Sequence, residues 1–259
     1  MSFIDFWTNK NNPELAKSEY LYNTRHILVL VITLILCITL SIIFAKRSDK
    51  TKKILLHIFG YIFLFFEISS RIVNLIILET YTFENVLEIL LPMHICSVMV
   101  WIFIVAIFTK NQVLINYSCI GGLLATIAFL LYPAVGLNRV YMSFTCLYST
   151  ISHMLGFVCC ILLMTLGFAK FEPKKLWQPL LCFAIMFGYG AIINFLIFPG
   201  SDYMYMRNDP LELGLNFPYQ ILYVILIITY TALFHLIYWL IHFIKTRKQN
   251  QKHYNKNYK

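Results

Sequence analysis

The sequence predicts an all-α polytopic membrane protein: a bundle of seven transmembrane helices, N-terminus outside, C-terminus cytoplasmic. Three observations carry this. Of 259 residues, 59% are hydrophobic and only 13% charged, against about a quarter charged in soluble globular chains. Seven apolar windows are each long enough for the ~20 residues a helix needs to cross ~30 Å of hydrocarbon. No window alternates with period two, which argues against a β-barrel.

In chain order, residues 1–25 form an extracytoplasmic N-terminal segment. It is polar after its first few residues and lacks the basic start and short apolar core of a cleavable signal peptide. The transmembrane domain covers 26–244, with spans near 26–45, 54–78, 87–109, 113–132, 143–169, 177–198 and 218–244. Residues 245–259 form a basic cytoplasmic tail. Orientation follows from the loops. The tail and the loops at 46–53, 110–112 and 170–176 hold 15 lysines and arginines, whereas the N-terminal segment and the opposite loops hold 5. Basic residues favour the cytoplasmic side. The +9 net charge is therefore mainly a cytoplasmic-face feature, directed at anionic headgroups and not at nucleic acid. The longest connection, 199–217, carries turn signals, aromatics and methionines, and is expected to lie at the interface as a cover. Ala184, Gly188, Gly121 and Gly122 are expected to let neighbouring helices approach closely.

Seven cysteines, an odd number, all fall in or beside spans, so no disulfide framework is expected. No metal-ligand spacing, phosphate loop or nucleophile elbow is present, and neither a metal nor a cofactor is expected.

The informative residues are the polar ones inside the spans. Glu67, Arg71 and Asn74 stand at i, i+4 and i+7, on one helix face. A mid-span acid and arginine together cost ~6 kcal/mol of insertion, which the aliphatic and Phe residues around them return with little margin. The two charges are therefore expected to pair inside the bundle. In the third span, His94 and Ser97 share a face, while Cys96 lies about 200° around an ideal helix from His94. Pro92 is expected to distort this turn. His153, on the fifth span with Cys146 and Ser149, lies ~15 Å below the outer edge, and Cys96 lies ~14 Å below it. Arg71 and Asn194 fall in the same outer half. These depths favour a polar cavity open to the outer side or outer leaflet. His26, His57, His235 and His242 lie near span ends and read as interfacial.

At these residues the chain resembles the YwaF-like family of bacterial integral membrane proteins. "LPMHICS" is similar to that family's LPLHLCS segment. "STISHMLGF" is similar to its Ser-His-Gly segment, with Ser152 and His153 kept and Met154 in place of Gly. "INFLIFPGSDYMYMRNDP" resembles its Asn-then-Asn-Tyr-Met segment, with Asn194, Tyr203, Met204 and Pro210 matching, but Asp202 and Asp209 replacing Asn and Lys. The resemblance runs from about residue 60 to 225. That family resembles transmembrane protein 164, an acyltransferase acting on ether phospholipids. The resemblance implies Cys96 as nucleophile and His153 as its base.

The expectation is then a phospholipid acyltransferase, or a lipid hydrolase where water resolves the intermediate, that forms a thioester on Cys96. His153 serves as general base. His94, Ser97, Asn194 or Arg71 could donate to the oxyanion, and Glu67, Asn74 and Tyr203 would line the cavity. The partners are phospholipid or lysophospholipid substrates within the bilayer, and the location is multi-pass in a cell membrane, bacterial by the resemblance. The alternatives are a transporter using the same polar cavity, or a non-enzymatic interaction protein whose polar residues lock packing.

Overall fold

The computed structural model describes residues 3–8, 12–77, 79–133, 136–207 and 219–257. Ten α-helices follow in order: α1 (Phe3–Thr8), α2 (Lys17–Tyr20), α3 (Thr24–Ala45), α4 (Asp49–Ile76), α5 (Phe83–Leu90), α6 (Ile95–Thr109), α7 (Gln112–Leu131), α8 (Phe144–Thr165), α9 (Trp177–Ile192) and α10 (Tyr219–Asn257). α9 runs on into a π-helical turn, Ile193–Ile197. The starts are set by side-chain oxygens that accept orphan backbone N–H groups. Asn23 does this for α3, Ser48 for α4, Asn111 for α7 and Ser143 for α8.

Among the described residues six helices are long and apolar enough to cross a membrane, or seven spans if α5 and α6, bent by 54°, count as one. The chain is thus a multi-pass membrane protein. The third predicted span, 87–109, is the one that departs from a single rod. Leu91, before Pro92, is extended at φ −82°, ψ 144°, as a residue preceding proline prefers. The proline cannot continue the hydrogen-bond ladder, and α6 restarts only at Ile95.

Two ends of the bundle can be distinguished. The N-terminal face carries the start of α3, the α5–α6 break, the 132–143 connection and the segment after α9. The C-terminal face carries the α3–α4, α6–α7 and α8–α9 connections. α7 and α8 form the centre, with 72% and 56% of their apolar windows buried, whereas α3 and α10 lie at the periphery with 11% and 17%. α4 and α6 complete the inner four. Phe103 of α6 fills the middle, stacked on Phe63 of α4 at 5.5 Å. Gly122 of α7 leaves room for it: a Cβ there would overlap the Phe103 ring and come within 2.8 Å of Cys160 Sγ. Gly121 likewise faces Met99. Gly188, in contrast, meets nothing within 4 Å, and Ala184 is exposed. Both lie on the lipid-facing side of α9, so neither makes the close helix contact expected of it. The small residue that matters on α9 is Gly190, where a Cβ would lie 2.8 Å from Met204 Sδ.

The N-terminal segment is tied down on its own face. Leu15 N–H donates to Asn138 O at 2.8 Å and Val140 N–H to Pro13 O at 3.1 Å, and Arg139 pairs with Glu14. At the other end α10 continues as helix through residues 245–257. Two histidines read as interfacial are in fact buried within the protein. His26 accepts from Tyr22 N–H at 2.9 Å and donates through Nε2 to Leu130 O at 2.7 Å, which locks α3 to the end of α7. His235 is buried against the Phe171 ring.

Candidate functional site

The break between α5 and α6 changes what the sequence stretch around Cys96 means. His94 is the N-cap of α6, at φ −96° and ψ 153°, and not a helical residue. Its angular relation to Cys96 on an ideal helix therefore does not apply. Cys96 is the second residue of a 15-residue helix and Ser97 the third; both are half-buried. The His94 side chain makes no capping hydrogen bond, and the first α6 donor with a partner is Val98 N–H, to His94 O at 3.0 Å. The thiol thus sits beside uncapped N–H groups at the positive end of the helix dipole, where an anion is favoured.

His153 lies one helical turn toward the N-terminal face from Gly156, which packs against Phe103. Cys96 lies two turns from Phe103 in the same direction. The His153 ring is stacked on Phe129 of α7 at 3.9 Å and 11°. Nδ1 lies 2.7 Å from Ser149 O. A carbonyl only accepts, so Nδ1 carries the proton and Nε2 presents a lone pair. That Nε2 is buried and has no protein hydrogen-bond partner among the described residues. Cys96 and His153 are therefore not hydrogen-bonded to each other. The Ser152 hydroxyl beside it is also buried and unpartnered.

The charged cluster has a different character. Glu67 is fully buried. One carboxylate oxygen takes the Arg71 guanidinium and the other the Tyr148 hydroxyl. Arg71 also donates to Leu90 O at 3.2 Å and Glu67 O at 3.0 Å, and lies over the Trp101 ring at 5.3 Å. The cluster thus joins α4 to α8 and, through the Leu90 carbonyl at its last residue, to α5. Through Trp101 the cluster also reaches α6, the helix that carries Cys96. Asn74 is half-buried, with no hydrogen bond among the described residues.

A lid-like segment, 198–207, covers this end. The buried Asn194 side chain spends both ends of its amide on it: Nδ2 donates to Tyr203 O at 2.7 Å, and Oδ1 accepts from Tyr203 N–H at 2.8 Å. Arg207 donates to Asn194 O at 2.8 Å. Tyr203 packs its ring on His94 at 5.4 Å and donates its hydroxyl to Glu88 of α5. Burial first, and then Glu88, push the Tyr203 phenol up to about 12, so it keeps the proton it donates. Met204, at φ 62°, is fully buried in the notch left by Gly190. Asp209 and Pro210 lie outside the described residues.

Sequence reasoning missed Tyr148, Glu88, Phe129 and Gly190. The first had a signal: a tyrosine in a span at the depth of a buried acid. The other three depend on which helix lies opposite, and one sequence does not carry that.

The model of the TMEM164 family matches residues 21–238, a range that contains every one of these residues. No curated protein and no solved structure matches the chain.

Proposed function

The chain belongs to the TMEM164 family, and from that premise we propose that it is a membrane-embedded acyl-transfer enzyme acting on phospholipids, with Cys96 as nucleophile and His153 as base. The observation that carries the reading is the His153 ring. Its tautomer is set by Ser149, its plane is held by Phe129, and a bare lone pair is left in a buried site. A buried acceptor without a partner costs ~1–3 kcal/mol, a cost that a waiting general base justifies. The position of Cys96 at the uncapped start of α6 supports the other half, since free N–H groups there suit both a thiolate and an ester oxyanion.

In the first step the thiol proton goes to His153 Nε2 as the thiol moves into reach with substrate bound. Sγ bonds to the ester carbonyl carbon, the carbonyl oxygen gathers charge at the α6 N–H groups, and the C–O bond to the departing lysolipid breaks. That alcohol leaves with the proton held on Nε2. In the second step an acceptor hydroxyl gives its proton to Nε2 and attacks the thioester carbonyl. The Sγ–C bond then breaks, and the thiol recovers its proton. His94, Tyr203 and the 198–207 segment keep water from the thioester. Asn194, with its carbonyl oxygen and one of its two amide N–H donors engaged by Tyr203, positions that segment. The N-terminal face is the outer one, from the basic-residue bias, so the lipid enters from the outer leaflet. A C-terminal reporter is expected to be active only on the cytoplasmic side.

The test is acyl labelling with an activated phospholipid ester probe, read by peptide mass spectrometry. Label is expected on Cys96, lost in Cys96→Ser and in His153→Ala, and unchanged in Cys119→Ser and Cys182→Ser. Full lipid-remodelling activity in Cys96→Ser at normal expression would overturn the proposal. If Tyr148→Phe abolishes labelling and His153→Ala does not, the proton leaves through the Glu67 cluster instead.

A further inference from the structure

At the C-terminal face the inner helices enclose a cleft of ≈ 310 Å³, at the lower end of the size range of ligand pockets. Its rim carries Lys53 from α4, Lys110 at the end of α6, and Lys170 from the connection after α8. Its floor is apolar, built by Leu56, Ile107 and Leu163. This is the opposite end of the bundle from Cys96.

Each lysine is placed by a different backbone device. Lys53 stands on the first turns of α4. Lys110 occupies the left-handed C-cap of α6 at φ 58°, a conformation that costs a residue with a Cβ ~1–2 kcal/mol and that glycine adopts freely. Lys170 is fixed through Asn116, whose Oδ1 accepts from Lys170 N–H at 2.9 Å and whose Nδ2 donates to Lys170 O at 2.7 Å. Gln112 reinforces the same strap by donating to Asn116 and to Phe168 O. None of the three ammonium groups makes an ion pair among the described residues. The one acid on the rim, Asp49, lies in the first turn of α4, where the helix dipole favours it, 3.8 Å from Lys52. Three cations held together over an apolar floor, at the level where helices leave the bilayer, are complementary to a phosphate joined to a hydrocarbon chain.

We propose that this cleft is a binding site for a phospholipid of net negative headgroup drawn from the leaflet on the C-terminal face, with the phosphate among the lysines and the first part of a chain on the floor. The site is separate from the acyl-transfer chemistry at Cys96 and stands or falls independently of it.

Native mass spectrometry of the full chain in detergent tests it, with phosphatidylglycerol and phosphatidylcholine as probes. One phosphatidylglycerol is expected to be held tightly and phosphatidylcholine weakly. The variant Lys53→Gln, Lys110→Gly, Lys170→Gln is expected to bind phosphatidylglycerol roughly a hundredfold more weakly, about fivefold per lysine. Glycine at 110 keeps the left-handed turn. A control variant, Lys46→Gln, Lys50→Gln, Lys174→Gln, removes the same charge from the same face and is expected to retain binding. If the first variant fails to fold, Lys53→Gln and Lys170→Gln alone should each show about a fivefold loss. Equal loss in both triple variants, or equal binding of the two lipids, would overturn the site. Displacement of the lipid by millimolar inorganic phosphate, with no dependence on chain, would overturn the lipid assignment in favour of a free anion.

Discussion

Glu67, fully buried, and His153, half-buried with its Nε2 buried, are titratable side chains near one end of the same four inner helices, yet only the first has every polar side-chain atom engaged within the protein. Both oxygens of Glu67 are taken, by Arg71 and by Tyr148. The Nε2 of His153 has no protein partner among the described residues. A satisfied buried network fixes the rotation of the helices that supply it. An unsatisfied acceptor stabilises nothing and persists where something must arrive to use it. The difference separates a network that holds helices together from the side chain proposed as the base.

The comparison can be broken most forcefully at Arg71. Replacing it with alanine leaves Glu67 as an unpaired buried carboxylate, a loss expected at ~3–5 kcal/mol. Thermal unfolding in detergent should show a large fall in Tm, and adding Glu67→Gln should restore most of it. An unchanged Tm in Arg71→Ala would mean that the pair is idle. Tyr148→Phe is expected to cost less, ~1.5–3 kcal/mol for one hydrogen bond to a charged acceptor, and to leave acyl labelling of Cys96 largely intact. The smallest stability effect is expected at the open group. His153→Phe keeps the stack on Phe129 and removes the orphan nitrogen, so Tm should move by no more than ~1 kcal/mol equivalent, upward if at all, while labelling is lost. A strongly destabilised His153→Phe would show the ring to be a packing element like its counterpart.

Much of this architecture was legible from residue order. The seven windows fall on the six helices and the bent pair, because hydrocarbon thickness dictates apolar length whatever the packing. Glu67 and Arg71 form their pair because four residues is one turn. Gly122 had its close contact, whereas Gly188 did not. Small size permits approach but does not say which side of a helix faces lipid. The break at Leu91–His94 was signalled by Pro92, but its extent was not: a proline disturbs one turn, and whether the chain resumes at once or bends by 54° depends on what receives α5. Here Leu90 O meets Arg71, and Glu88 meets Tyr203, contacts between segments 19 and 115 residues apart. His26 looked interfacial because it starts a span. Its burial comes from Leu130, which no local pattern connects to it.

The bend has a consequence for where in the bilayer a reactive thiol would meet its target. α6 has 15 residues, so it spans only ~22 Å of the ~30 Å hydrocarbon slab. The remaining ~8 Å is crossed obliquely by α5 and the extended turn at Pro92. By these lengths Cys96, at the head of the short rod, would lie ~9 Å beneath the polar boundary and ~6 Å from the midplane. That depth is among the fatty chains, below the layer where glycerol backbones lie. To meet the sulfur, the ester linkage of a lipid would have to descend by ~9 Å from its ordinary place in the leaflet, into the gap the bend leaves beside α5.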